Sequence, residues 1–473
     1  MKVQYVSIGP TQAALDAGAP TLTPELCASV GARYSRNNEG LVRIMAQVRG
    51  MDPDKAVDSI FRMVDYGHAS IADMAPIVMF IDEVSCWSIF QIFNWCQRAS
   101  GQESSTRYID FSVVPPLAPG MAGIPEAETA EWQALLKEAM EHYGAMTRFW
   151  ADVAERRPEA MRLPAELLAD AAANPDGSSA KKVERMRRNF VFDRARYWLP
   201  AAALNNVMLV MPVRDWADLV KMLASHPSPE LQAIGAEIRK GLELGAPRMV
   251  RHAKATQDWI EGHRIDAEDG VTRARFMLEE YPDMLRDLAD HEVKVAVHGT
   301  AGAFRADITK ALSQHPHRYS WIGRNVRRIP VSVSIEGVSL AELRDLNRHR
   351  TGERFTDGVP VGFYAAEDQV EGLEGIDLTA FNAAWEFGLR NARRQLGLVA
   401  DGRADAPYWG LFGTQYDWEH HLQLDKLIYM IELRTGLGAH YRYAKHFRDV
   451  HDALVKGLPV LEGLIQLGQA EPE

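Results

Sequence analysis

Apolar positions along the chain follow two rhythms. Ile77 to Ile81 is an unbroken apolar run, as in a buried strand, and Val331 to Ile335 alternates Val with Ser, as in a half-buried one. Elsewhere the spacing is helical. Residues Trp132, Leu135, Leu136, Ala139, Tyr143 and Met146 keep a period of three to four and predict a long amphipathic helix. Ser85 to Gln97 predicts a mostly apolar helix. Val57, Ile60, Phe61 and Val64 predict another, started by Asp52 with Pro53 and stopped near Gly67. In the second half, Ser339 and Glu342 have capping-box spacing before a helix that carries Arg348-His349-Arg350 at its end. Phe381, Trp385 and Leu389 mark an amphipathic helix, and a last apolar helix ends at Leu433-Arg434. The periodicity fades between about residues 252 and 270, which marks a boundary. The halves 1–255 and 270–473 then run through the same element order. This predicts an α+β fold of two diverged tandem repeats, each a small sheet packed with long helices.

Composition narrows the class. The chain has 473 residues, 47% hydrophobic and 25% charged, with a net charge of −11. That balance fits a soluble globular protein and disfavours nucleic-acid binding through a basic face. Three cysteines, Cys27, Cys86 and Cys96, without a CxxC, argue against a disulfide framework or a zinc site. No apolar run reaches membrane-spanning length, and a cytoplasmic location is expected.

Glu103-Ser104-Ser105-Thr106-Arg107-Tyr108 sets a carboxylate, hydroxyls, an arginine and a phenol directly after the first apolar segment. Arg107 offers a planar fork suited to phosphate, and Ser105 can donate to the same group. A polar helix cap with a surface ion pair is the alternative. Arg348-His349-Arg350 complements the negative pole of a helix and equally suits a diphosphate. Arg434, ending an apolar helix, needs an anion or a carbonyl to meet it. Glu419-His420-His421 has the wrong spacing for a helical metal site and reads as a surface feature; no metal is expected. His68, beside a turn glycine, reads as a capped loop residue or a ligand contact. Nucleotide-binding glycine loops, HExxH and GxSxG are absent from the sequence.

Taken together, these fragments resemble the flavin-dependent thymidylate synthases. Gly67-His68-Ala69-Ser70-Ile71-Ala72-Asp73 resembles that family's Gly-His-x-Ser/Thr-x-x-Glu loop. Ser100 to Tyr108 resembles the end of its Arg-His-Arg-x-x-Ser-x-Asn-Glu-x-Ser-x-Arg-Tyr signature. Trp95-Cys96-Gln97 stands where the Arg-His-Arg should be. The second half keeps Arg348-His349-Arg350 but lacks the Ser-x-Arg-Tyr ending. Ala195-Arg196-Tyr197-Trp198-Leu199-Pro200 resembles an Ala-Arg-x-x-Leu-Pro segment, replaced by Ala406-Pro407 in the second half. Leu433-Arg434 with His440 resembles a Leu-Arg followed by His, where the first half has Leu223 and His226.

The resemblance implies reductive methylation of dUMP to dTMP, with FAD as cofactor and NADPH and methylenetetrahydrofolate as cosubstrates. It implies a pyrimidine deoxynucleotide on Glu103, Ser105, Arg107, Arg196 and Arg434, with Arg434 and Ser105 closest to the chemistry. It implies flavin contacts from His68, Ser70, Asp73, Arg348, His349, Arg350 and His440. Each repeat lacks half of the signature, so the sites would be composites of both halves. A homodimer would then mimic the family's homotetramer. Two alternatives stay open: FAD-dependent modification of another pyrimidine nucleotide, and a non-catalytic descendant that binds nucleotide or flavin.

Overall fold

The computed structural model describes all residues except 37, 53, 59–68, 281–291, 299–304, 437 and 469–473. Ile60, Phe61, Val64, Gly67 and His68 therefore lie outside the described residues. Helices and two small antiparallel sheets make up the chain, consistent with the α+β class. It divides into two compact units. The first comprises residues 1–104, 117–125 and 203–267; the second comprises 105–116, 126–202 and 268–473.

The first unit holds a sheet of strands β1 (Lys2–Val6), β2 (Pro76–Ser85), β3 (Ser100–Glu103) and β4 (Leu204–Pro212), in the order β1-β2-β4-β3. Inward positions of β2, such as Ile77, Met79 and Ile81, are buried under the helices Val213–Ser225 and Pro229–Gly245. Gly245 makes that approach possible: a Cβ there would sit 2.7 Å from Ile77 and from the Tyr5 ring. β2 carries a bulge between Ile81 and Val84, where Glu83 has φ of 59°. The Asn206 side chain accepts from the Glu83 amide at 2.9 Å and holds it. Ser85 then caps the helix Cys86–Trp95, and its hydroxyl donates to the buried Glu230 carboxylate at 2.6 Å.

The second unit holds β5 (Val293–Val297), β6 (Pro330–Ser339), β7 (Glu353–Phe355), β8 (Gly362–Phe363) and β9 (Thr414–Gln423). Its order is β5-β6-β9-β7, with β8 also on β9. β6 bulges between Ile335 and Val338, where Gly337 has φ of 70° and donates its amide to Asp417 at 3.1 Å. Ser339 and Glu342 form the expected capping box on Leu340–Leu346. The long helix Thr129–Arg156 buries Trp132, Leu135, Leu136, Ala139, Tyr143 and Met146, as the periodicity predicts. Trp132 donates its indole N–H to the Tyr408 carbonyl at 3.0 Å, and Trp198 donates to Ala384 at 2.9 Å. Residues 197–201 and 410–413 exchange backbone hydrogen bonds, which fixes Arg196 beside them.

Three local expectations change. The fading stretch near 252–270 is occupied by a continuous helix, Gln257–Glu280; only Gly270 and Ala274 are buried on it, so it shows no apolar stripe. Arg348-His349-Arg350 lies just beyond its helix, which ends at Leu346. Glu419-His420-His421 lies on β9, where strand alternation buries His420 and exposes His421. The His420 ring contacts the Thr351 carbonyl at 2.8 Å.

Candidate anion-binding site

One cluster of buried charged residues in the second unit forms around two carboxylates. Asp193 sits near the end of helix Ser178–Ala195, and Asp345 near the end of Leu340–Leu346. Arg107 grips Asp193 with both arms of its fork, Nε at 2.7 Å and Nη2 at 2.8 Å. Its third nitrogen donates to the Tyr443 hydroxyl at 3.2 Å and to the Gly438 carbonyl at 3.3 Å. Arg196 donates to Asp345 at 3.1 Å. Arg434 donates to the Asp345 carbonyl at 2.7 Å and to His349 Nε2 at 2.7 Å, with its guanidinium 4.9 Å from the centre of the Tyr443 ring. Arg107 and Arg434, far apart in sequence, thus meet on one tyrosine. His440 caps Tyr441–Gly457 and lies 3.2 Å from the Asp193 carbonyl.

The electrostatics follow from this packing. Burial would raise the Asp345 carboxyl, but Arg196, Arg107, Arg348 and Arg434 outweigh it and hold the pKa below the usual range. Burial works against charge on Arg107; Asp193 and Tyr443 reverse that and keep it firmly protonated. Burial, then Arg434, pushes the His349 imidazole well down, and burial with Arg196 does the same to His440. His349 is therefore neutral. Because its Nε2 accepts from Arg434, its proton sits on Nδ1.

Next to this network lies a cleft of about 450 Å³, lined by Arg318, Arg327, Arg348, His349, Arg350 and Lys426 among others. His349 belongs to both: it lines the cleft and accepts from Arg434. The donor set suits the phosphates of a flavin dinucleotide, since several arginines face one space.

The predicted site residues are distributed as follows. Ser105, Arg107, Arg196, His349, Arg434 and His440 all belong to the second unit, and Ser105 Oγ accepts from the Arg107 amide at 3.3 Å. Arg348 and Arg350 line the cleft. Ser70, Asp73 and Glu103 belong to the first unit. Ser70 is exposed, and Asp73 is paired with Arg98 at 2.8 Å and Arg214 at 3.4 Å. Glu103 ends β3 opposite Val207. His68 falls outside the described residues. Sequence reasoning missed Asp193, Asp345, Tyr443, Arg318, Arg327 and Lys426. A signal existed for the first two: each aspartate stands three residues before an arginine, Asp193 before Arg196 and Asp345 before Arg348.

Fold and site together define an α+β protein with a buried arginine–carboxylate network beside a basic cleft. Residues 21–248, just under half of the chain, match the family model described as thymidylate synthase complementing protein. No curated protein matches the chain. The family match supports a thymidylate-synthase-type function at family level. Among the described residues, no helix is long and apolar enough to cross a membrane.

Proposed function

We propose that the protein is a flavin-dependent thymidylate-synthase-like enzyme that methylates dUMP reductively to dTMP, built as a tandem duplication with one composite set of site residues. Methylenetetrahydrofolate would supply the carbon and NADPH the reducing equivalents. The observation that carries this reading is the convergence of Arg107 and Arg196, from the family-matched stretch, with Arg348, His349, Arg434 and His440, from beyond it, on Asp193 and Asp345. Bound FAD would supply the hydride-transfer chemistry. The chain's own residues bind and orient: Arg348 and Arg350 hold phosphate, Arg434 and Ser105 face the pyrimidine nucleotide, and Arg107 and Arg196 complete its pocket. Neutral His349 keeps Arg434 aligned by accepting from its Nε. A dimer of such chains carries the repeats of a homotetramer, and the cytoplasm is where this chemistry would run.

The test is a visible absorption spectrum of the purified protein, before and after NADPH, followed by a dTMP assay. Flavin absorbance that bleaches with NADPH, and dTMP formed only with methylenetetrahydrofolate, are the expected results. A flavin-free protein that neither takes up FAD nor forms dTMP refutes the reading. Replacing both Arg348 and Arg350 by alanine should remove flavin while the fold persists, because charge-assisted hydrogen bonds of about 1.5–3 kcal/mol each are lost. One observation favours the non-catalytic alternative: Asp193 already fills the Arg107 fork that a phosphate would use. In that case FAD or nucleotide binds without turnover. Flavin bleaching by NADPH with a product other than dTMP would instead mark a different pyrimidine substrate.

A further inference from the structure

We infer that the outer face of the second sheet carries a site for a zinc-class divalent ion, built from His298 and His421 and supported by Glu419. These residues take no part in the proposed nucleotide and flavin contacts, and they lie outside the family-matched stretch 21–248.

Strand register assembles the site. Glu419-His420-His421 has the wrong spacing for a helical metal site, but it lies on β9, where alternate residues share a face. Glu419 and His421 are on the outer face and about half exposed, 49% and 54%. Ser332 on β6 pairs directly with His421, and Glu353 on β7 pairs with it from the other side. His298 follows the last residue of β5. Its backbone N–H donates to the Pro330 carbonyl at 2.9 Å, which fixes it near Ser332. The Ser332 hydroxyl thus meets two imidazoles, His298 Nε2 at 2.7 Å and His421 Nδ1 at 2.8 Å.

That trio has the chemistry of a metal site. A serine has one proton to give, so one imidazole accepts from it and the other donates to it. His421 is the acceptor, because its Nε2 lies 3.4 Å from Glu419 Oε2 and the carboxylate draws the ring proton to that side. A carboxylate behind an imidazole is the usual support of a metal-bound histidine. His421 Nδ1 therefore presents a lone pair on the side of His298. An ion ligated at about 2.0–2.1 Å from each nitrogen replaces the serine proton as the bridge. Both side chains are exposed, so they turn toward each other without unpacking the core, and His298 moves its proton to Nδ1 as Nε2 binds. Local charge helps: Glu353 and Glu419 flank His421, while Lys294 on the same face is paired with Glu292 at 2.6 Å. Among the described residues no three of His, Cys, Asp and Glu form a group that could hold a metal ion. Two imidazoles therefore carry the site, and water completes the coordination. Such a donor pair selects zinc, copper or nickel over magnesium and calcium, which prefer oxygen.

The consequence is mechanical. β5 is an edge strand, and β6 separates it from β9. An ion on His298 and His421 staples that edge to an inner strand across β6 and guards it against fraying.

The test is isothermal titration calorimetry of the untagged full-length protein, stripped with EDTA, against zinc chloride and magnesium chloride, with melting temperatures recorded in parallel. Zinc is expected to bind at one ion per chain, roughly a hundredfold more tightly than magnesium, and to raise the melting temperature. His298→Ala and His421→Ala each weaken zinc by about tenfold or more, and Glu419→Gln by about tenfold. In EDTA all three variants melt with the wild type, since the side chains are exposed. His252→Ala, at an exposed histidine of the first unit, leaves zinc binding unchanged. Zinc affinity equal in the wild type and the His298→Ala/His421→Ala double variant overturns the inference, as does an affinity no greater than that for magnesium. Zinc bound through these histidines without a rise in melting temperature overturns the staple.

Discussion

The two sheets turn the same corner and fill it with opposite chemistry. In each, one of the two inner strands bulges at a left-handed residue, Glu83 in β2 and Gly337 in β6. In each, a polar side chain on the other inner strand, Asn206 or Asp417, accepts the bulge amide, and a serine caps the helix that follows. Around that helix the units part. The first packs Trp87 and Trp95 against His226, with ring centres 6.0 and 5.6 Å apart, and adds His263 at 5.1 Å from His226. The second sets Arg348, His349 and Arg434 around Asp345. One corner is an aromatic plug and the other an ionic socket. The lesson is that a backbone turn and its caps tolerate either filling, so the side chains beyond them decide where ligand chemistry is available.

The largest expected effect breaks the socket. Asp345 is the carboxylate that Arg196 touches, and Arg107, Arg348 and Arg434 lie within its field. Asp345→Ala leaves buried guanidinium groups without that partner, and loss of one member of a buried ion pair costs about 3–5 kcal/mol. Urea denaturation should show a loss of that order. A loss below about 1 kcal/mol would mean that water reaches these arginines and that the network is a surface feature.

The plug has its own signature in acid. Burial, with His263 adding to it, pushes His226 down to about 3. A base depressed in the folded state contributes stability above its ordinary pKa of about 6.5, and that stability is lost as pH falls towards 3. Between pH 6.5 and 4 the loss is on the order of 3 kcal/mol. His349 and His440 shift in the same direction, so the measurement is a difference: the stability–pH slope of the protein minus that of His226→Phe. Identical slopes would show that His226 is protonated in the folded state.

A third substitution asks what the Arg107 fork is for. Arg107→Lys keeps the charge but cannot span both Asp193 oxygens. If Arg107 holds a nucleotide phosphate, dUMP affinity falls by about 1.5–3 kcal/mol, a charge-assisted bond's worth, while FAD affinity changes little. Calorimetry with each ligand separates this from a structural role, in which both affinities and the melting temperature fall together.

Local signals were readable and pairings were not. The Ser339–Glu342 box, the Trp132–Met146 stripe and the β6 alternation depend on neighbours within a few residues, and all form as expected. Arg107 and Arg434 each stood out as charges at the edge of apolar segments. Asp193 and Asp345 carried only the weaker signal of an arginine three residues on, and look like ordinary helical aspartates until packing removes water from them. Arg318, Arg327 and Lys426 carry no periodicity; only the cleft unites them. The Gln257–Glu280 helix was invisible for the opposite reason, since it buries too little to impose a pattern.

The smallest expected effect tests the shared turn itself. A residue with a Cβ in the left-handed region carries roughly 1–2 kcal/mol of strain, and glycine carries none. Glycine also has more freedom to lose on folding, by roughly 0.5–1 kcal/mol. Gly337→Ala therefore gains the strain, recovers part of it through the unfolded state, and should destabilise by about 1 kcal/mol. Glu83→Gly is the reverse exchange at a φ of 59°. It also removes an exposed ion pair with the N-terminal amine, 3.2 Å long and with Glu83 68% exposed, which contributes little. The net should be a stabilisation of about 0.5 kcal/mol. Opposite signs in paired urea titrations are the expected result, because the same backbone geometry is satisfied in one unit and strained in the other. If Gly337→Ala proves as harmless as Glu83→Gly, the two bulges do not share a geometry that selects for glycine, and the comparison between the corners ends at their strand order.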